Sequence, residues 1–186
     1  MKNQPLFESQ RIQIQQSETE TEISISGEIP SNQFTVLSVW LVAWTVSGIY
    51  IITEVFGEYP QEVKNFMIAW LAFWFYFEIK IGVAWMWRRK GRELITIEKG
   101  KARFQIEAAV GKKNFEFETA AIRDFHLTES KKGLFIKNYF DSFWVVGGES
   151  VGFFVAGKLY MFGRQLPPKD AEKLMKFVEN QVKRNV

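Results

Sequence analysis

The chain has 186 residues, 47% hydrophobic and 24% charged, with no cysteine, a formal net charge of +3 and a mean hydropathy of −0.12. These averages exclude a disordered chain, a collagen-like repeat and a disulfide scaffold, and the missing thiols exclude thiolate zinc sites, thiol catalysis and cysteine redox sensing. The net charge does not by itself point to nucleic acid, and the one unusual total is an aromatic content of 16%, with 18 Phe and 7 Trp.

In chain order, residues 1–9 read as a disordered tail. Arg11-Ile-Gln-Ile-Gln15 and Glu22-Ile-Ser-Ile-Ser26 alternate apolar and polar residues around the polar stretch 16–21. That is the pattern of a half-buried β-hairpin within residues 10–30, expected to join the same sheet as the later strands. Residues 1–33 are polar and hold no early apolar run, so no signal peptide is expected.

Residues 34–57 then carry a single charge, Glu54, and residues 65–87 carry two, Glu78 and Lys80. Each stretch exceeds the roughly 20 apolar residues that cross a bilayer, and neither has a polar face. Six of the seven Trp lie between Trp40 and Trp87. Trp40, Tyr50, Tyr59, Trp85 and Trp87 sit near the ends, as in interfacial belts, whereas Trp70 and Trp74 lie deeper and are expected to pack. Ser38, Thr45, Ser47 and Gly48 are small residues of the kind that let membrane helices approach closely. The competing reading is a helical hairpin buried inside a soluble domain, but little sequence is left over to wrap two such helices. We therefore expect transmembrane helices at 34–57 and 65–87.

The connecting loop has one cation, Lys64, beside Glu58 and Glu62, while Arg88-Arg89-Lys90-Gly91-Arg92 follows the second helix at once. The positive-inside rule places that cluster, and with it both termini, on the cytoplasmic side of the inner membrane. Arg88, Arg89, Lys90 and Arg92 are thus the candidate topology and lipid-headgroup residues, each attracted to anionic lipid by about 1 kcal/mol. Glu78 and Lys80 admit two readings. Either the membrane part ends near Phe77 and the helix runs on into the cytoplasm, or Glu78 lies inside the bilayer, where it reaches Thr45 of the antiparallel partner while Lys80 snorkels inward.

From residue 92 to 186 the sequence reads as a cytoplasmic domain built mostly of strands. Leu94–Ile97, Ala102–Glu107, Asn114–Glu118, Ile122–Leu127, Leu134–Ile136, Phe143–Val146, Val151–Val155 and Lys158–Phe162 are short apolar or alternating runs. They are separated by turns such as Glu98–Lys101, Val110–Lys113 and Ser130–Gly133. Strands at intervals of about 8–12 residues indicate an antiparallel meander. Residues 168–184 read as a helix opened by Pro168, with Ala171, Leu174, Met175, Val178 and Val182 as an apolar stripe that would cover a sheet.

Candidate chemistry is sparse. His126 is the only histidine, so a zinc site would need carboxylates for its other ligands and a triad would need a positioned Ser and Asp. Asp124 reads as a surface partner. Gly147-Gly148 lacks a phosphate-loop context and Ser150 lacks a nucleophile-elbow context. Glu116 and Glu118 alternate with Phe and read as a solvated strand face. Lys112-Lys113 and Lys131-Lys132 read as turn lysines that protect edges. No catalytic, cofactor or metal residue is expected.

Two stretches resemble bacterial membrane proteins of the pleckstrin-homology-like (PH-like) type that carry a helical hairpin. One is Phe117-Glu-Thr-Ala-Ala-Ile-Arg-Asp-Phe125. The other is Gly157-Lys-Leu-Tyr-Met-Phe-Gly-Arg-Gln-Leu166 followed by Pro168-Lys-Asp-Ala-Glu-Lys-Leu174. The order of strand pair, two membrane helices, strands and helix is similar too, as is the layout of the photosystem I assembly proteins of chloroplasts and cyanobacteria. The resemblance implies an α+β membrane protein, with a two-helix hairpin and an antiparallel β-barrel capped by a C-terminal helix. It implies a membrane-anchored interaction or assembly module without catalysis, docking a protein partner or lipid. Lys99-Gly-Lys101 and Lys112-Lys113 lack the full basic pattern of inositide-binding loops. The alternative is a small oligomeric transporter, channel or regulatory subunit that uses Glu78 and Lys80. The two separate on whether a hetero-complex or a homo-oligomer forms. No nucleic-acid partner is expected.

Overall fold

The computed structural model describes residues 7, 9–108, 111–128 and 142–186. Its elements in order are β1 (Ile12–Gln16), β2 (Glu20–Ser26), α1 (Ser31–Val55), α2 (Gln61–Lys90), β3 (Arg92–Glu98), β4 (Lys101–Ala108) and β5 (Gly111–Glu118). A single 3-10 turn (Thr119–Ala121) leads to β6 (Ile122–Leu127), β7 (Glu149–Val155), β8 (Lys158–Arg164) and α3 (Pro168–Arg184). The class is α+β, with three helices and two antiparallel sheets among the described residues.

The first sheet has five strands in the order β1-β2-β3-β4-β5. The N-terminal hairpin therefore belongs to it, and β2 pairs with β3 across the whole helical insertion, Ile23 opposite Ile95 and Ser26 opposite Arg92. Alternation explains the register: Ile23, Ile25, Ile95 and Ile97 point to one face and are almost wholly buried, each contributing roughly 1.5–3 kcal/mol. The second sheet has three strands in the order β6-β7-β8 and brings Phe153 and Phe162 onto Phe104 of β4, with ring centroids 4.7 and 5.5 Å away. Helix α3 completes the core with Ala171, Leu174, Val178 and Val182, the stripe read from its spacing. Pro168 occupies its first turn, where no amide donor is needed.

The expected closed barrel does not form. Among the described residues, strand β5 and strand β8 are both sheet edges, each hydrogen-bonded to one neighbour. Side chains stand between them, with Phe115 and Phe117 of β5 packing against Tyr160 of β8 at 5.5 and 4.6 Å.

Three local expectations also change. Phe143–Val146 is a turn and irregular chain, not a strand. Trp144 docks edge-on against Trp40 of α1 at 5.3 Å, and the Val145 carbonyl accepts a hydrogen bond from Arg88. These groups bind the helices instead of a neighbouring strand. Lys112 and Lys113 lie in β5 itself, opposite Glu107 and Ile106. Within the expected tail, Phe7 is buried in the core and the Ser9 amide donates to the Asp170 carboxylate at 2.8 Å. The expected strand Leu134–Ile136 and the turn Ser130–Gly133, with Lys131 and Lys132, lie outside the described residues.

Helices α1 and α2 are long and apolar enough to cross a membrane; their most apolar windows have mean hydropathy 1.8 and 1.5. They touch each other along one face and leave the rest uncovered, with Val39, Val46, Phe66, Phe73 and Phe75 all more than half exposed. A helical hairpin inside a soluble core would bury those side chains.

The hairpin interface is aromatic. Trp74 Nε1 donates to the Trp44 carbonyl at 2.9 Å, and Trp44 Nε1 donates to the Trp74 carbonyl at 3.4 Å. Gly48 lets this happen, since a Cβ there would fall 1.9 Å from the Trp74 ring.

Candidate functional site

The described residues bring together two features, the junction between the hairpin and the β domain and a groove beside it.

The junction is built on the end of α2. Trp74, Ile81, Ala84, Trp87 and Arg88 form its buried stripe. Trp87 is 3% exposed and fills the space where both helices meet the sheet, flanked by Gly27 and Gly91. The Gly27 amide donates to the Gly91 carbonyl at 2.7 Å, and a Cβ on either glycine would come within 2.6 Å of Trp87 atoms. The Arg164 guanidinium covers the Trp87 ring at 5.0 Å.

Arg88 is 4% exposed. Its guanidinium donates to the Gly27 carbonyl at 3.4 Å, to the Val145 carbonyl at 3.1 Å and to the Gln165 side-chain oxygen. Arg11 reaches the same corner from β1, donating to the carbonyls of Ser26, Gln165 and Arg164 at 2.7, 2.9 and 3.0 Å. Burial pushes the Arg11 guanidinium below its ordinary value, partly offset by attraction to Glu93. Glu93 is 2% exposed, and one oxygen accepts the Gly163 amide at 2.6 Å. Burial pushes its carboxyl up, against the pull of the Gly163 amide and of Arg164. Burial wins because Arg164 lies 3.5 Å from Glu93 but forms its tighter pair with Glu149, at 2.9 Å.

The predicted basic cluster thus divides. Arg88 is withdrawn into the junction. Arg89 is exposed and lies over Trp85 at 5.2 Å, Lys90 is exposed, and Arg92 pairs with Glu107. Glu107 also pairs with Lys112, and Lys112 followed by Arg92 holds its half-buried carboxyl below the ordinary range. Cross-strand register sets Arg92, Glu107 and Lys112 side by side.

Thr45 and Glu78 do meet: Thr45 Oγ1 lies 2.8 Å from Glu78 Oε1 and also 2.8 Å from the Leu41 carbonyl. Glu78 Oε2 is buried with no partner among the described residues. Lys80 is exposed and sits over the Tyr76 ring at 5.6 Å, pointing away from that pair. The structure therefore joins Glu78 to Thr45 but not to Lys80.

The groove opens between the β5 and β8 edges and has a volume of about 630 Å³. Phe104, Phe115, Phe117, Phe153, Tyr160 and Phe162 line it together with aliphatic residues such as Ile106, Leu159 and Met161, and Lys112, Lys113 and Lys158 line it too. Phe115, Leu159 and Met161 are 36–42% exposed. The two-residue period of Phe115 and Phe117 was legible in the sequence, but not that their strand ends the sheet.

His126 sits at a β-bulge. Its Nδ1 is 2.9 Å from the Asp124 carbonyl, its ring stacks on Phe154 at 5.6 Å, and Asp124 has φ 54°. Among the described residues, no group of three or more His, Asp or Glu is arranged to hold a metal ion. Glu116 faces solvent and pairs with Lys101 and Arg103 at 3.3 and 3.4 Å. No family model, no curated protein and no solved structure matches the chain.

Proposed function

We propose that the chain is a membrane-anchored docking module: α1 and α2 lie in the cytoplasmic membrane, both termini lie on the cytoplasmic side, and the β domain presents a surface to a protein or lipid partner without catalysing a reaction. The observation that carries this reading is the junction. A flexible tether would serve if the helices only kept the domain near the membrane. Here the last turn of α2 is buried in the domain through Trp87 and Arg88, three acceptors converge on one guanidinium, and Trp144 packs back onto Trp40. The domain is held at a fixed attitude to the helices, which a presenting surface needs and a loose anchor does not. The resemblance to PH-like membrane proteins supports the same reading through the order of the elements.

The transporter alternative draws on Glu78, whose second oxygen is buried without a partner. It is the weaker reading, because Thr45 of the same hairpin already engages the first oxygen. Purification in mild detergent separates the two. A discrete hetero-complex with a monomeric chain is the expected result. A homo-oligomer that conducts ions in liposomes, with conduction lost in Glu78→Gln, overturns the docking reading.

A further inference from the structure

The groove between β5 and β8 has features that the docking reading does not specify. Its volume of about 630 Å³ falls in the roughly 300–1,000 Å³ range of small-molecule sites. Its wall is chiefly apolar, aromatic and aliphatic together, and polar groups that line it are already paired: Glu93 with the Gly163 amide, Arg164 with Glu149.

Charge gathers at the rim. Lys113 and Lys158 form no ion pair among the described residues. Register places Lys112 beside Glu107 and Arg92, and Arg92 follows the end of α2 after a single glycine. The β4–β5 end of the groove therefore lies on the edge of the sheet from which the helices leave. Arg89, Lys90, Arg92, Lys112 and Lys113 share that end; among the described residues Glu107 pairs with two of the five, and Glu93 and Glu149 of the groove are paired elsewhere. An anion is the complement of this rim, and a hydrocarbon is the complement of the wall.

A polypeptide strand is the rival occupant, because both edges are open to backbone pairing. The lysines oppose it: Lys112 and Lys113 on one edge and Lys158 on the other are the charged side chains that block strand addition. We infer that the groove takes one acyl chain of an anionic phospholipid from the membrane in which the helices lie, with the phosphate against Lys112 and Lys113. This deepens the docking reading and rests on the hairpin being in the bilayer.

The test uses the full chain. Membranes containing it are first washed with alkaline carbonate: release of the chain overturns the anchored reading itself, and retention lets the groove be judged separately. The chain in neutral detergent is then titrated with palmitoyl lysophosphatidylglycerol and palmitoyl lysophosphatidylcholine under native mass spectrometry. One bound lysophosphatidylglycerol is expected, held about tenfold more tightly than the choline lipid. Lys112→Ala/Lys113→Ala should abolish the preference, and Phe115→Asn should weaken both lipids about tenfold. Both changes lie at exposed positions, and unaltered thermal unfolding checks that the fold is kept. Phe75→Ala, on the uncovered face of α2, should change nothing. Equal affinity for the two lipids, no effect of Phe115→Asn, an equal effect of Phe75→Ala, competition by free glycerol phosphate as strong as by the lysolipid, or a peptide recovered from the groove in place of lipid each overturns the inference.

Discussion

Arg88 is the side chain on which the two halves of the molecule depend most. Removing its guanidinium takes a charged donor away from the Gly27 and Val145 carbonyls and from the Gln165 side-chain oxygen. Bonds to a charged donor are worth roughly 1.5–3 kcal/mol each. Arg88→Met should therefore destabilise the chain by about 2–4 kcal/mol in urea unfolding from detergent, while Arg89→Met, at an exposed position, changes it by under about 0.5 kcal/mol. A basic run reads as uniformly solvated, which hid this difference. The signal was there in the spacing, since Trp74, Ile81 and Arg88 recur every seven residues on one helix face. Glu93 was equally concealed, although it shares the inward alternation of Ile95 and Ile97. Its raised carboxyl gives a pH dependence with a definite sign. Folded Glu93 keeps its proton to higher pH than the unfolded chain does, so the folded state binds more protons in that window. Stability from this group then falls as pH rises from the ordinary carboxylate value through the raised folded one. Glu93→Gln lacks that fall, so its stability relative to the native chain should climb across the same window, read from urea midpoints. The Thr45–Glu78 contact is the opposite case: matching two antiparallel helices by length raised it as one of two readings. Thr45→Val removes the partner Glu78 has among the described residues and should cost about 1–3 kcal/mol, read from urea midpoints.

At the scale of elements, the helix pair is set by shape. Gly48 and Trp74 fit only because one has no side chain. Gly48→Val forces the indole aside, loosens the reciprocal Trp44–Trp74 bonds and should cost about 1–3 kcal/mol, the usual penalty of overpacking. Its measure is the midpoint of helix loss on titration with a denaturing detergent, and a variant as stable as the native chain would show that the helices are not closely packed there. Elements with a strong period were legible: the helix 168–184, the two long apolar stretches and the alternating strands of the first sheet. Phe143–Val146 was not, because a short apolar run carries no period and these residues spend their side chains on α1. The gap between β5 and β8 was also illegible. Alternation tells which face of a strand is buried, but nothing in a strand's own sequence says whether a neighbour completes its outer edge.

For the whole molecule, sidedness is the testable quantity. The native chain has no cysteine, so single reporters need no background removed. Cysteines placed at Ser17, Glu98 and Lys183 should react with an impermeant maleimide only when the cytoplasmic face is open, and one at Gly57 only from the opposite face. Labelling of Gly57 and Lys183 from one side would overturn the arrangement. That one domain is assembled from both ends of the chain was foreseen from the matching alternation of residues 11–15, 22–26 and 94–97. Its attitude to the helices was not, because it depends on side chains from β1, α2 and β8 meeting in one corner.

The pairing of β2 with β3 also bears on biogenesis. One strand is synthesised before the helices and its partner after them, yet the ladder runs unbroken from Glu20 opposite Glu98 to Ser26 opposite Arg92. If a single helix were inserted, or one turned back, the two strands would be delivered to opposite compartments and the central ladder of the sheet could never close. With α1 and α2 in a bilayer as proposed, completion of the sheet would depend on correct insertion of both helices. A correctly threaded chain would bury Ile23, Ile25, Ile95 and Ile97, and a misthreaded one would leave them bare.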